Sequence, residues 1–213
     1  MADAVLISIR PEWVNKIISG AKTVEVRKTK PNLKPPFKCY IYCTKGRLAL
    51  LREIDDPEEP YKFDVWEYAD FHEGCGLTIL GCKVIGEFTC DRVHRLTHVG
   101  YMGTREAPAL RAYKPGSVTE HCPDFDFSAS CLTVAQINDY LAGGDGYAWH
   151  IADLRLFDVP EDLRKFHRRR RCNSCEESGY ESMACAYDDN CVVPAVITKA
   201  PQSWCYVEKL ENG

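Results

Sequence analysis

Gly20-Ala21-Lys22-Thr23-Val24-Glu25-Val26-Arg27 is the stretch on which the reading of this chain turns. It follows Pro11 to Ser19, where Trp13, Val14, Ile17 and Ile18 recur at helical spacing behind a proline suited to a first turn. Glycine takes the left-handed backbone conformation without a Cβ clash, so Gly20 reads as the stop of that helix. Thr23 to Val26 is rich in β-branched residues and reads as a strand. In a regular strand Thr23, Glu25 and Arg27 face one way while Lys22, Val24 and Val26 face the other. Lys22 and Glu25 therefore meet only if Lys22 precedes the pleat, at the mouth of the strand, where a charged cleft could form.

The spacing GxKxxExR resembles the signature of the ASCH domain, a β-barrel family of the PUA-like superfamily associated with RNA binding. Leu6-Ile7-Ser8-Ile9-Arg10-Pro11-Glu12-Trp13 is similar to that family's first strand and helix start, and Gly81-Cys82-Lys83-Val84-Ile85-Gly86-Glu87-Phe88 to a later barrel strand. Gly146-Tyr147-Ala148-Trp149-His150-Ile151 and Pro201-Gln202-Ser203-Trp204-Cys205-Tyr206-Val207 are similar to segments of small bacterial and phage-encoded members.

At 213 residues the chain suits a single domain, 1–213, with an inserted Cys-rich loop over 160–200. Its 45% hydrophobic and 27% charged composition is that of an ordinary globular core and surface. No apolar run approaches the ~20 residues of a membrane helix, so no membrane partner is expected. Val5 to Ile9 has no basic region before it and no small-residue cleavage pattern after it, which points to a cytoplasmic protein. A net charge of −4 excludes a globally basic nucleic-acid binder, so any such role must be local. Two basic segments are candidates: Arg27, Lys28, Lys30, Lys34 and Lys38, and the run Lys165 to Arg171. Each is either a solvated loop or a phosphate contact.

The rest of the chain reads as short strands. Val5 to Ile9 and Phe37 to Cys43 are strands, separated by the breaker-rich Pro31 to Pro36. Leu50 to His72 is an irregular acidic, aromatic stretch, read as a flap. Leu77 to Asp91 reads as one curved strand whose Gly81 and Gly86 suggest a bulge or tight bend. Residues 100–130 read as loop. Thr133 caps a helix whose Val134, Ile137, Tyr140 and Leu141 share a face, and Gly143-Gly144 ends it. Tyr147 to Phe157 is a strand with Tyr147, Trp149 and Ile151 on one face, and Ser203 to Lys209 is the last. With the resemblance, this implies an α+β fold: a PUA-like closed β-barrel of about six mixed strands with two short helices, closure removing the exposed edges.

Twelve cysteines are many for this length. Most lie in strand-like contexts, Cys39, Cys43, Cys82 and Cys90 among them, where a reduced thiol behaves as a small apolar side chain. Cys172, Cys175, Cys185 and Cys191 are different, because their segment is polar and too poor in aliphatics to bury itself. Four thiolates around one structural Zn²⁺ would stabilise it, and would leave no open position for catalysis. The alternatives are a reduced, metal-free loop and an oxidation-prone dithiol. No organic cofactor is expected.

For the charged motif the residues leave three roles open to Lys22: nucleophile, phosphate anchor, or ion-pair partner of Glu25. Some small ASCH members are amidohydrolases that deacetylate acetylated cytidine with a lysine at the position of Lys22. This chain departs from them, with Glu25 where they carry a threonine and Val134, Ala135 and Gln136 where a carboxylate is expected after Leu132-Thr133. The resemblance also suggests a ribonuclease, for which His150 beside Lys22 is the pairing to consider. A binding module for RNA, a nucleotide or a modified nucleoside asks for cations, a carboxylate that accepts from a base amino group, and an aromatic for stacking. Ser8, Arg10, Lys22, Glu25, Arg27 and one of Trp13, Tyr147 or Trp149 could supply them. The bland alternative is a same-face Glu25–Arg27 ion pair, with the aromatics simply core.

Overall fold

Val5-Leu6-Ile7 is apolar at consecutive positions, as a strand covered on both faces requires, and β1 (Ala4–Ile9) is buried along its whole length. The computed structural model of the protein describes residues 4–45, 48–53, 63–67, 77–99, 109–171 and 192–210. After β1, Pro11 opens helix α1 (Pro11–Ile18), which buries Val14 and Ile17. Gly20, at φ +74°, then turns the chain toward β2 (Val24–Arg27), as the sequence predicts.

Strand β3 (Phe37–Cys43) lies parallel to β1, with α1 and β2 in the connection. Between β3 and the next long strand, β4 (Leu48–Glu53) pairs with β5 (Phe63–Glu67) and β6 (Leu77–Ile79) in a small antiparallel sheet. Part of the acidic stretch read as an irregular flap is therefore strand. The curved strand expected over Leu77 to Asp91 is two, because a turn at Gly81-Cys82, with Cys82 at φ 64°, separates β6 from β7 (Lys83–Cys90). Gly86 marks a true irregularity. Opposite it the register slips from Ile41↔Gly86 to Tyr42↔Val84, and a Cβ there would lie 2.5 Å from the Arg155 carbonyl oxygen.

The remaining strands are β8 (Val93–Val99), β9 (Ala109–Ala112), β10 (Gly146–His150), β11 (Ala152–Glu161), β12 (His167–Arg171), β13 (Val192–Val196) and β14 (Trp204–Val207), with α2 (Val134–Leu141) before β10. Thr133 and Gln136 form a reciprocal capping box at the start of α2, which bears out the expected cap. Strands β8 and β9 occupy sequence expected to be loop or unassigned.

One sheet runs β11-β7-β3-β1-β14 and a second runs β2-β10-β8-β9. Besides the longer connections that flank β2, short bends carry the chain directly from one to the other, β7 into β8 through Asp91-Arg92 and β10 into β11 through Ile151. Such bends make the corner between two sheets. The expected closed barrel is not found among the described residues. Among the described residues edge strand β2 makes a ladder only with β10, and the gap between it and β1 is spanned by a side chain, with Arg27 Nη2 donating to the Ser8 carbonyl oxygen at 2.7 Å.

Among the described residues three apolar clusters hold this arrangement. Between the sheets, Val5, Ile7, Ile9, Ile41 and Phe88 pack with Val14 and Ile17 of α1 and with Trp149. On the outer face of the first sheet, Leu6, Tyr40 and Val84 pack on Phe166 and Ile197. On the outer face of the second, Val24, Val26, Leu96 and Ala148 pack on Ile137 and Leu141 of α2. Burial pushes the Cys43 and Cys90 thiols up to about 12, so these cysteines behave as the neutral apolar groups expected of them. The segment carrying Cys172, Cys175, Cys185 and Cys191 lies outside the described residues.

Candidate functional site

Because Val24 and Val26 turn outward to α2, Glu25 and Arg27 are directed inward, to the place where the two sheets part. A cleft of about 500 Å³ opens there, lined by Ser8, Arg10 and Trp13 on one side, by Lys22, Glu25 and Arg27 at its base, and by Gln136, Tyr140 and Ser203 on the other sides. Lys22 precedes β2, which is the condition the pleat imposes for it to reach Glu25. Its Nζ stands 3.1 Å from Glu25 Oε2, and Arg27 Nε stands 2.9 Å from Glu25 Oε1. The Arg27 Nε–H is off the axis of a hydrogen bond, so that contact is an ion pair only.

The cations are anchored by backbone. Lys22 Nζ donates at 2.8 Å to both the Val24 and Ser130 carbonyl oxygens, and with Glu25 these use the three donors of an ammonium. Arg27 Nη1 donates to Ser203 Oγ at 3.3 Å. The Ser8 hydroxyl donates to the Pro201 carbonyl oxygen at 2.6 Å, so Ser8 contributes to the wall. Arg10 is exposed at the rim. Among the lining residues the charged groups are Arg10, Lys22 and Arg27 against Glu25, a net of +2 (three positive, one negative).

The aromatic residues are distributed differently from expectation. Trp13 lines the cleft, with Lys16 and Lys22 Nζ at 5.0 and 5.5 Å from its ring. Trp149 is 0% exposed, stacked edge-on with Phe37, and presents no face to a ligand. Tyr147 is half-buried and lines a different groove. The aromatic missed by the sequence reading is Tyr140. The sequence places it on one face of α2 with Val134, Ile137 and Leu141, yet Tyr140 and Val134 are 40% and 43% exposed while Ile137 and Leu141 are buried. At about 100° per residue Tyr140 falls some 60° from Ile137 and 100° from Leu141, on the flank of the stripe, which is the signal that could have found it.

His150 is not beside Lys22. Its Nδ1 lies 2.6 Å from Asp91 Oδ1, with Arg92 Nη2 at 3.1 Å from its Nε2, at the bend between the sheets. No group of three metal-ligating side chains occurs among the described residues.

No family model matches the chain, and no curated protein matches it. Among solved structures it is similar to the crystal structure of ASCH from Zymomonas mobilis, at 16% identity and a TM-score of 0.48, over 98% of this chain and 90% of that one. Two mutant forms of that Zymomonas mobilis protein are similar at 15% and 16% identity, each with a TM-score of 0.47, over 98% and 97% of this chain and 90% and 91% of theirs.

Proposed function

We propose that this chain is an ASCH-like domain that binds RNA, or a nucleotide or modified nucleoside, in the cleft built on Lys22, Glu25 and Arg27. The observation that carries the reading is a carboxylate held between two anchored cations at the base of a cleft of net charge +2, with aromatic side chains in its walls. Glu25 accepts from a base amino group, the cations attract phosphate, and Trp13 or exposed Tyr140 offers a ring to a base. The cleft volume lies within the ~300–1,000 Å³ of small-ligand sites.

Deacetylation by Lys22 is not favoured. A nucleophilic amine needs a free lone pair, whereas Lys22 Nζ faces two carbonyl oxygens and a carboxylate, and Gln136 rather than a carboxylic acid stands across the cleft. Incubation with acetylated cytidine is expected to release no cytidine above the uncatalysed rate, and turnover that vanishes in Lys22→Ala would reverse the ranking.

Binding is tested by fluorescence titration of a labelled single-stranded RNA hexamer and of a nucleoside monophosphate. Arg10→Ala and Tyr140→Ala alter exposed side chains, so both variants should fold and bind at least several-fold more weakly. Affinity unchanged in both would remove the site.

We also propose one structural Zn²⁺ on Cys172, Cys175, Cys185 and Cys191. The donor set is that of a closed tetrahedral site, and the chain on either side of the segment is paired, Arg171 against Val192 at the end of the β12–β13 hairpin. Protein prepared under reducing conditions should carry about one equivalent of zinc and lose it in Cys175→Ser. Metal content well below that, or unaltered in the variant, would leave a metal-free loop.

A further inference from the structure

A second groove, of about 640 Å³, lies beyond the first. Its charged lining is Lys30, Lys34, Arg92, Arg95 and Lys114 against Asp91, a net of +4 (five positive, one negative) on a chain whose total is −4. Tyr147 lines it as well, with Lys30 Nζ 6.0 Å from the ring centroid.

The two grooves are joined by one row of the second sheet. Tyr147 of β10 is in register with Arg27 of β2 on one side and with Arg95 of β8 on the other. Directly paired residues project from the same face of a sheet, and neighbouring strands are about 4.8 Å apart. Arg27, which lines the first cleft, and Arg95, which lines the second groove, are thus separated by roughly 10 Å with Tyr147 between them. The chain leaving β2 continues through exposed Lys28 and Lys30 into the wall of the second groove.

We infer that the two grooves form one continuous track for a single-stranded nucleic acid, in which Tyr147 stacks a base and Lys30 and Lys34 hold phosphates flanking the nucleotide seated in the Lys22–Glu25–Arg27 cleft. The inference rests on the nucleotide reading of that cleft. The division of labour follows from the ion pairs. Arg95 is bound through Nε and Nη2 by Asp145 at 3.1 and 2.6 Å, and Lys114 is paired with Glu120 at 3.0 Å. Lys30 and Lys34 have no ion-pair partner among the described residues, and both are exposed. Cations beside an aromatic ring are what a phosphodiester chain with unpaired bases engages.

The test compares a nucleoside monophosphate with eight-nucleotide single-stranded RNA and DNA, on wild type and on Lys30→Glu/Lys34→Glu. In wild type an octamer should bind at least tenfold more tightly than the monophosphate, the tighter octamer identifying the strand type. The double variant should lose most of that advantage while its monophosphate affinity is unchanged. The slope of log affinity against log salt should shrink by about 1.4, at ~0.7 per single-strand phosphate contact. Octamers no tighter than the monophosphate, or unaffected by the variant, overturn the track and leave the first cleft standing. Failure of every ligand to bind wild type removes both.

Discussion

The Lys22 ammonium and the Glu25 carboxylate stand 3.1 Å apart with only 3% and 10% of their side chains exposed, so each is the other's charge compensation as well as part of the cleft. Glu25 also neutralises Arg27, which makes the three charges unequal in importance. Removing Glu25 leaves two cations facing each other, whereas removing Lys22 leaves a matched Glu25–Arg27 pair.

Glu25→Gln should therefore destabilise the protein by about 3 kcal/mol, the lower end for deleting one partner of a buried pair. Lys22→Met should cost less, because the Val24 and Ser130 carbonyl oxygens and Glu25 Oε2 lose a donor while the Glu25 charge keeps Arg27 as its partner. Urea denaturation of both variants decides it, and a larger loss in Lys22→Met would refute this account of the charges.

The glycines of β7 and of the α1 terminus should respond differently to alanine. At Gly86 the new Cβ meets the Arg155 carbonyl oxygen at 2.5 Å and Leu156 Cα at 3.0 Å, both backbone atoms of β11, so strands must separate. The expected cost is about 2–3 kcal/mol, as for overpacking. Gly20→Ala meets open space and bears only its positive φ of +74°, at about 1 kcal/mol. Thermal melts should rank Gly86→Ala well below Gly20→Ala.

His94 should make stability fall in mild acid. Burial holds its pKa below the ordinary 6.5, with Arg92 and His150 adding to that and the Tyr113 carbonyl oxygen and Asp91 opposing it. The unfolded chain then binds the proton first, so stability is lost as pH drops below about 6.5 and the loss is complete once the lower folded value is passed. His94→Gln should flatten this part of the stability–pH curve between pH 7 and 5. A curve as steep as that of the wild type would show that other groups cause the slope.

Trp149 should be silent as a ligand contact. Its enclosure between the sheets means that Trp149→Phe changes stability through lost packing, while RNA affinity per folded molecule stays that of wild type. A selective loss of affinity in a fully folded variant would mean that Trp149 becomes accessible in solution.

The helix, the glycine stop and the strand that follows were legible in residues 11–27, because each depends on neighbours within a few positions: a proline at the first turn, a glycine free to take positive φ, and β-branched residues after it. The pleat made the Lys22–Glu25–Arg27 geometry legible too. The same periodicity put Tyr147, Trp149 and Ile151 on one face, and all three pack on the cluster between the sheets. Strands β8 and β9 were not legible, since their weak local patterns become strands only through pairing with β10 and with each other.

Which side chains share a face follows from local periodicity; what each face meets follows from packing between distant segments. Whether Tyr140 is core or exposed depends on how α2 is rotated against Val24 and Val26, more than a hundred residues away in β2, and against Ala148 in β10. Whether His150 joins Lys22 or Asp91 depends on where the β7–β8 and β10–β11 segments bend. The cleft exists because the ladder stops at β2 and Arg27 bridges to Ser8 in its place. Hydrogen-bond partners between strands are chosen by packing across the whole chain, and no local spacing encodes where that pairing ends.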